Sequence, residues 1–162
     1  LDLDTGEIEL VDARTFDGTN LARVYPTVAE VHGDRYARLM AHEDNLYGFF
    51  GYMRPHTVIC ESPFMRKFPA AFAALTECCM HVRRALMRYD AYMQLHMVDP
   101  PTAKTAVGAK AKGSNKDGVK EAILNNPRLL NPLHIDIAAL DEHSIDAIAV
   151  AFKRALELAS LI

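Results

Sequence analysis

The chain has no tryptophan and only three cysteines among its 162 residues. Cys78 and Cys79 are adjacent and Cys60 stands apart, so neither a CxxC pair nor a disulfide framework is present. The three read as reduced, mostly buried thiols in a cytosol. No run approaches the ~18 consecutive apolar residues of a membrane span. The first residues lack a basic stretch followed by an apolar one, so no secretory signal is expected. No glycine-rich phosphate loop follows any candidate strand, which argues against a small-molecule α/β enzyme. Internal repeats and low-complexity tracts are also missing.

What is present is ordinary for one globular domain with its own core: 50% hydrophobic and 24% charged residues. A net charge of -3 argues weakly against nucleic acid, but the charge is unevenly spread. Residues 1–20 hold Asp2, Asp4, Glu7, Glu9, Asp12 and Asp17 against Arg14 alone. Residues 104–120 hold Lys104, Lys110, Lys112, Lys116 and Lys120 against Asp117 alone. Two readings of that lysine segment stand: a local phosphate-binding surface or a solvated loop.

Leu1–Leu3, Asp4-Thr5-Gly6 and the alternating Glu7–Arg14 predict a hairpin, and Asp17–Asn20 a turn. Tyr36, Leu39, Met40, Leu46, Phe49 and Phe50 predict a helix over 34–53. Thr57–Cys60 is a short, largely β-branched run, read as a buried strand. Pro69 opens a second helix with the stripe Phe72, Leu75, Cys79, Val82, Leu86 and Tyr89. Arg83, Arg84 and Arg88 near its end complement the helix dipole and make it one candidate dimer or DNA surface. Tyr92–Val98 reads as a second parallel strand stopped by Asp99-Pro100-Pro101. Thr102 is read as the cap of a short helix through Val107, and Gly108–Gly113 as a lysine-bearing loop. A capping box at Ser114–Asp117 starts a helix through Leu124. Residues 131–138 read as irregular. A last helix from about Leu140 carries Ile145, Ile148, Phe152, Leu156 and Ala159 inward. This order describes a three-layer α/β domain.

Three positions stand out chemically. Glu61 ends a buried strand, where sites of open α/β sheets gather; a structural carboxylate or helix cap is the plainer reading. His143 and Asp146 are three apart on the last helix and share a face. Such a pair either binds one cation together or divides metal binding from proton transfer. A surface histidine beside a partly buried aspartate is the plainer reading there. Carboxylate-dominated sites favour Mg²⁺ or Mn²⁺ over Zn²⁺.

The order of these features resembles the RuvC-type Holliday junction resolvases of the RNase H-like superfamily. Val58-Ile59-Cys60-Glu61-Ser62-Pro63-Phe64 resembles their strand-plus-acid segment. Pro101–Gly108 followed by Asn115–Val119 is similar to their lysine-bearing segment and the helix after it. His143–Ala151 is similar to their closing helix, where an Asp or His precedes the key Asp by three positions. The resemblance covers most of the chain and implies one RNase H-like domain over 1–162, three-layer α/β/α with a mixed sheet. It implies a Mg²⁺-dependent endonuclease for four-way junctions, with Mn²⁺ able to substitute and two ions bound. Glu61, His143 and Asp146 fall on its catalytic and metal positions. Lys104 and Lys116 fall on its phosphate-contacting lysines, with Lys110 and Lys112 as extra charge. Phe64 falls on an aromatic that stacks on opened bases; core packing is its plainer role. Two symmetric strands to cut imply a homodimer, and the setting is cytoplasmic, a phage host's cytoplasm, or a nucleic-acid-containing organelle. The family's first strand, bearing an Asp in a Gly-Ile-Asp-like pattern, has no counterpart, so it is expected upstream of Leu1. Asp2 and Asp4 read better as hairpin residues than as substitutes. Flap or other branched-DNA nucleases, and a non-catalytic branched-DNA-binding module, are the alternatives.

Overall fold

The computed structural model describes residues 1–63, 69–109 and 116–161, with the side chains of Lys116 and Asp117 excepted. Phe64, Lys110, Lys112, the Lys116 side chain and the Ser114-Asn115 cap lie outside the described residues. The described residues form six α-helices and four short strands, the strands in two parallel two-stranded sheets. The mixed sheet of an RNase H-like domain, expected above, is not what these strands form. The chain divides into two compact units.

The first unit comprises Leu1–Thr15, Ile59–Glu61 and Met97–Ile162. Its opening residues correct the predicted hairpin. Asp2 Oδ1 accepts from the backbone N–H of Asp4 (2.8 Å) and Thr5 (3.0 Å), Asp2 N donates to Glu7 O, and Gly6 sits at φ 72°. Gly6 N also donates to Asp2 O, closing the turn with Gly6 in the left-handed region that glycine adopts without strain. Asp2 and Glu7 are thus bridged across a tight turn, but no strand forms over Leu1–Leu3. Strand β1 (Ile8–Glu9) pairs in parallel with β4 (Leu129–Leu130), Ile8 opposite Leu129. Its partner thus lies over 100 residues downstream, beside a stretch that carries no periodic signal.

Strands β2 (Val58–Glu61) and β3 (Leu95–Val98) pair with each other. The predicted strand from Tyr92 starts later, because Asp90 closes a turn on Tyr92 N and Met93 N. Helix α4 (Pro100–Ala106) starts earlier than predicted. Asp99, and not Thr102, is its cap: Asp99 Oδ1 accepts from Thr102 N at 2.9 Å. The two prolines fill the first helical positions, where no N–H is needed. Helix α5 spans Lys116–Leu124 and α6 spans Glu142–Ala159. The predicted inner stripe of α6 is largely realised. Ile145, Ile148 and Phe152 are buried with Val119 and Ile123 of α5, Ala103 of α4, and Ile8 and Leu10, while Leu156 is partly buried against them.

The second unit comprises Phe16–Val58 and Ser62–His96. Helix α1 (Pro26–His32) buries no residue, so it produces no apolar stripe to read. Gly33 at φ 88° separates it from α2 (Asp34–Met53). Helix α3 spans Pro69–Tyr89. The buried residues of α2 are Ala37, Leu39, Ala41, Glu43 and Phe50; those of α3 are His81, Ala85 and Leu86. Leu75, expected inside, is 48% exposed. The thiols are not mostly buried: Cys78 is exposed, and Cys60 and Cys79 are half-buried. Among the described residues, no helix is long and apolar enough to cross a membrane.

Candidate functional site

Residues from three distant parts of the sequence meet in the first unit. Glu61 is the last residue of β2, Lys104 lies on α4, and Asp146 lies in the second turn of α6. Local chemistry fixes the start of α6. Asp141 caps it, accepting from Ser144 N at 2.8 Å and from Thr15 Oγ1 at 2.9 Å. Thr15 Oγ1 also lies 3.0 Å from the buried Ser144 hydroxyl. The backbone bond from Ser144, helped by Thr15, holds the Asp141 carboxyl below its ordinary value. The charged cap also complements the positive end of the helix dipole.

Lys104 Nζ is 3.9 Å from Asp146 Oδ1, with side chains 35% and 41% exposed. A pair this open to water contributes at most about 1 kcal/mol, so the carboxylate is only loosely engaged. Asp146 is thus at the surface but not fully solvated. Glu61 is exposed as a residue, yet its carboxyl end is shielded enough that burial raises it above its ordinary value. The Asp146 charge raises it further, and Lys104 works against the rise. Two carboxylates that repel each other beside one lysine form an arrangement that an added cation would relieve.

His143, Asp146, Lys104 and Lys120 line one cavity of about 310 Å³. His143 is exposed. Among the described residues, no group of three or more His, Cys, Asp or Glu side chains is set to hold a metal ion. Glu61, His143 and Asp146 are therefore not gathered as a three-donor set. The donors present suit one hydrated Mg²⁺, an ion often held by one or two carboxylates with water completing its shell. A second ion would need a further carboxylate. Asp2 is engaged in its own turn, its Oδ1 accepting from the backbone N–H of Asp4 and Thr5.

Sequence reasoning missed two features. Lys120 reaches back to the carbonyls of Ala138 and Leu140, tying α5 to the approach of α6. No pattern announces a lysine bonding to carbonyls 18 and 20 residues away. In the second unit, Glu43 is 4% exposed and meets His81, Arg84 and Arg88. A signal existed here: Glu43 interrupts the spacing Leu39, Leu46, Phe50 on α2, and His81, Arg84 and Arg88 share a face of α3. The arginines Arg84 and Arg88, read above as a dimer or DNA surface, are engaged by that glutamate. No protein-family model matches the chain, and no curated protein matches it.

Proposed function

We propose that the protein is a Mg²⁺-dependent endonuclease acting on branched DNA, of the Holliday junction resolvase type. The observation that carries the reading is the convergence of Glu61 and Asp146, with Lys104 beside them, from β2, α6 and α4. Phosphodiester hydrolysis adds water to phosphorus, breaks the bond to the leaving sugar oxygen, and delivers a proton to that oxygen. A bound divalent cation would supply Lewis acidity and lower the pKa of water. Glu61 and Asp146 would hold that cation. Water activated by that cation would be the nucleophile. Lys104, only loosely engaged by Asp146, would contact a phosphate oxygen. His143, which lines a cavity with Lys104 and Asp146, is suited to protonate the leaving oxygen. Lys110, Lys112 and Lys116 would add phosphate contacts, and Phe64 would stack on an opened base. Two symmetric cuts make a homodimer part of the proposal.

The test is cleavage of a labelled four-way junction in Mg²⁺, with linear duplex as control. Paired nicks at the branch point, absent from duplex, are expected. Cleavage of duplex at the same rate would overturn the structure-selective reading. One observation favours a second reading: no three-donor group forms among the described residues. A branched-DNA-binding module without chemistry would bind the junction and leave it intact at every Mg²⁺ and Mn²⁺ concentration.

A further inference from the structure

We infer that the second unit carries a nucleobase-binding pocket built on His81. The pocket, about 540 Å³, is lined by His32, Arg35, Tyr36, Leu39, Glu77 and His81. His81 is 7% exposed, and its Nδ1 lies 2.8 Å from Glu43 Oε2. The Glu43 carboxyl also meets Arg84 Nε at 3.1 Å and Arg88 Nη1 at 3.3 Å. A carboxylate so surrounded by donors acts as an acceptor, so Nδ1 carries the proton and donates it. This fixes the ring's orientation and leaves Nε2 as the working atom. Nε2 has no hydrogen-bond partner among the described residues, and none of their side-chain nitrogens or oxygens is both enclosed and unpaired. Nε2 is therefore reachable by solvent, on a residue that lines the cavity.

The walls select the ligand by elimination. An apolar ligand would strip water from Nε2 and return no hydrogen bond, which is unfavourable. A small anion would face Glu77 on the wall and Glu43 behind His81. A cation would face Arg35, and no three-donor metal group exists among the described residues. A neutral planar ligand with donors and acceptors around its edge meets none of these objections. Three aromatic rings line the space: Tyr36 lies 5.6 Å from His32 and 6.0 Å from His81, at steep interplanar angles of 62° and 70°. Leu39 adds apolar contact, and the exposed Arg35–Glu77 pair offers a donor and an acceptor. Aromatic stacking with edge hydrogen bonds is how proteins hold an unpaired purine or pyrimidine. The inference does not rest on the endonuclease reading. An unpaired base in a DNA strand and a free nucleoside present the same chemistry.

The full chain, ¹⁵N-labelled at histidine, is titrated with each of the four deoxynucleosides and with 2-deoxyribose as the base-free control. The His81 Nε2 resonance is followed. At least one nucleoside should move it saturably, and 2-deoxyribose should not. Tyr36→Ala, which removes a surface ring, should weaken binding about tenfold, the scale of one stacking contact. Leu39→Trp, which fills the cavity, should weaken it at least as much; if that variant fails to fold, Tyr36→Ala still decides. No response to any nucleoside at about 10 mM, weaker than any affinity of use, would overturn the inference. So would an equal response to 2-deoxyribose, or unchanged binding by Tyr36→Ala. A single-stranded oligonucleotide and its fully abasic counterpart then separate the sources. If oligonucleotide affinity falls with Tyr36→Ala, the occupant is a strand's base; if only nucleoside affinity falls, it is a free nucleoside. Glu61→Gln should bind nucleosides as the native chain does, so loss of junction cleavage and loss of base binding are separable outcomes.

Discussion

Glu43 and Glu61 are the same residue type in opposite circumstances. Glu43, in the second unit, is almost fully enclosed, with His81, Arg84 and Arg88 on its oxygens. Glu61, in the first, ends a strand beside another carboxylate, and its carboxyl is raised by burial and by Asp146. The first arrangement surrounds the carboxylate with donors; in the second a neighbouring carboxylate raises it and a lysine works against the rise. A saturated carboxylate organises its neighbours, here by orienting His81. Two carboxylates that raise each other's cost of ionisation favour an added cation.

The comparison is broken most directly at Glu61 and Asp146. Glu61→Gln or Asp146→Asn should lower junction cleavage in Mg²⁺ by about 100-fold or more, since even outer partners of metal ligands cost 10–100-fold. Binding in a mobility-shift assay should be retained. Full cleavage by either variant would remove that residue from the site.

Glu43→Leu should instead act on folding. It leaves the buried His81 Nδ1–H without an acceptor, at a cost of about 1–3 kcal/mol, read from urea unfolding with an unchanged slope. The half-exposed Arg84 and Arg88 can return to water and limit the loss. Glu61→Gln in the metal-free chain should not destabilise it. Equal destabilisation by both would erase the contrast between the two glutamates.

Lys104→Ala sharpens the contrast less dramatically. Junction affinity should fall steeply with salt, and this variant should lower the slope of log affinity against log salt by about 1, the share of one phosphate contact. An affinity indifferent to salt would argue that the basic segment does not touch DNA.

The smallest effect concerns two aspartates outside both clusters' centres. Thr102 holds the Asp99 carboxyl below its ordinary value in the first unit; Tyr25 and then Arg88 do the same for Asp44 in the second. A lowered folded-state pKa means that the unfolded chain binds the proton more readily. The stabilisation is full above the ordinary carboxylate range and is lost as pH falls through the lowered folded value. Melting curves from about pH 6 to pH 3, spanning that range, should therefore fall less steeply for Asp99→Asn and Asp44→Asn than for the native chain.

Helices with an apolar stripe were legible in residue spacing: α2 and α6 lie close to where Tyr36–Phe50 and Ile145–Leu156 put them. The candidate acids were legible as well, Glu61 by ending an apolar run and Asp146 by interrupting one. Strands β2 and β3 were legible too, within a few residues of the apolar runs 57–60 and 92–98, but the pairing of β1 was not. Runs of two to four residues carry too little periodicity to name a partner, and β1 finds β4 across most of the chain. Helix α1, which buries nothing, gave no signal at all.

By itself the sequence determined the helical faces, the strand-end acid, and the segregation of lysines into 104–120, because each is a matter of local spacing and composition. Only the tertiary structure decided which charges meet. Glu61, Lys104 and Asp146 are brought together, while Glu43 is enclosed by α3. Long-range pairing depends on how whole elements pack, and a side chain's partner lies beyond the reach of any local pattern.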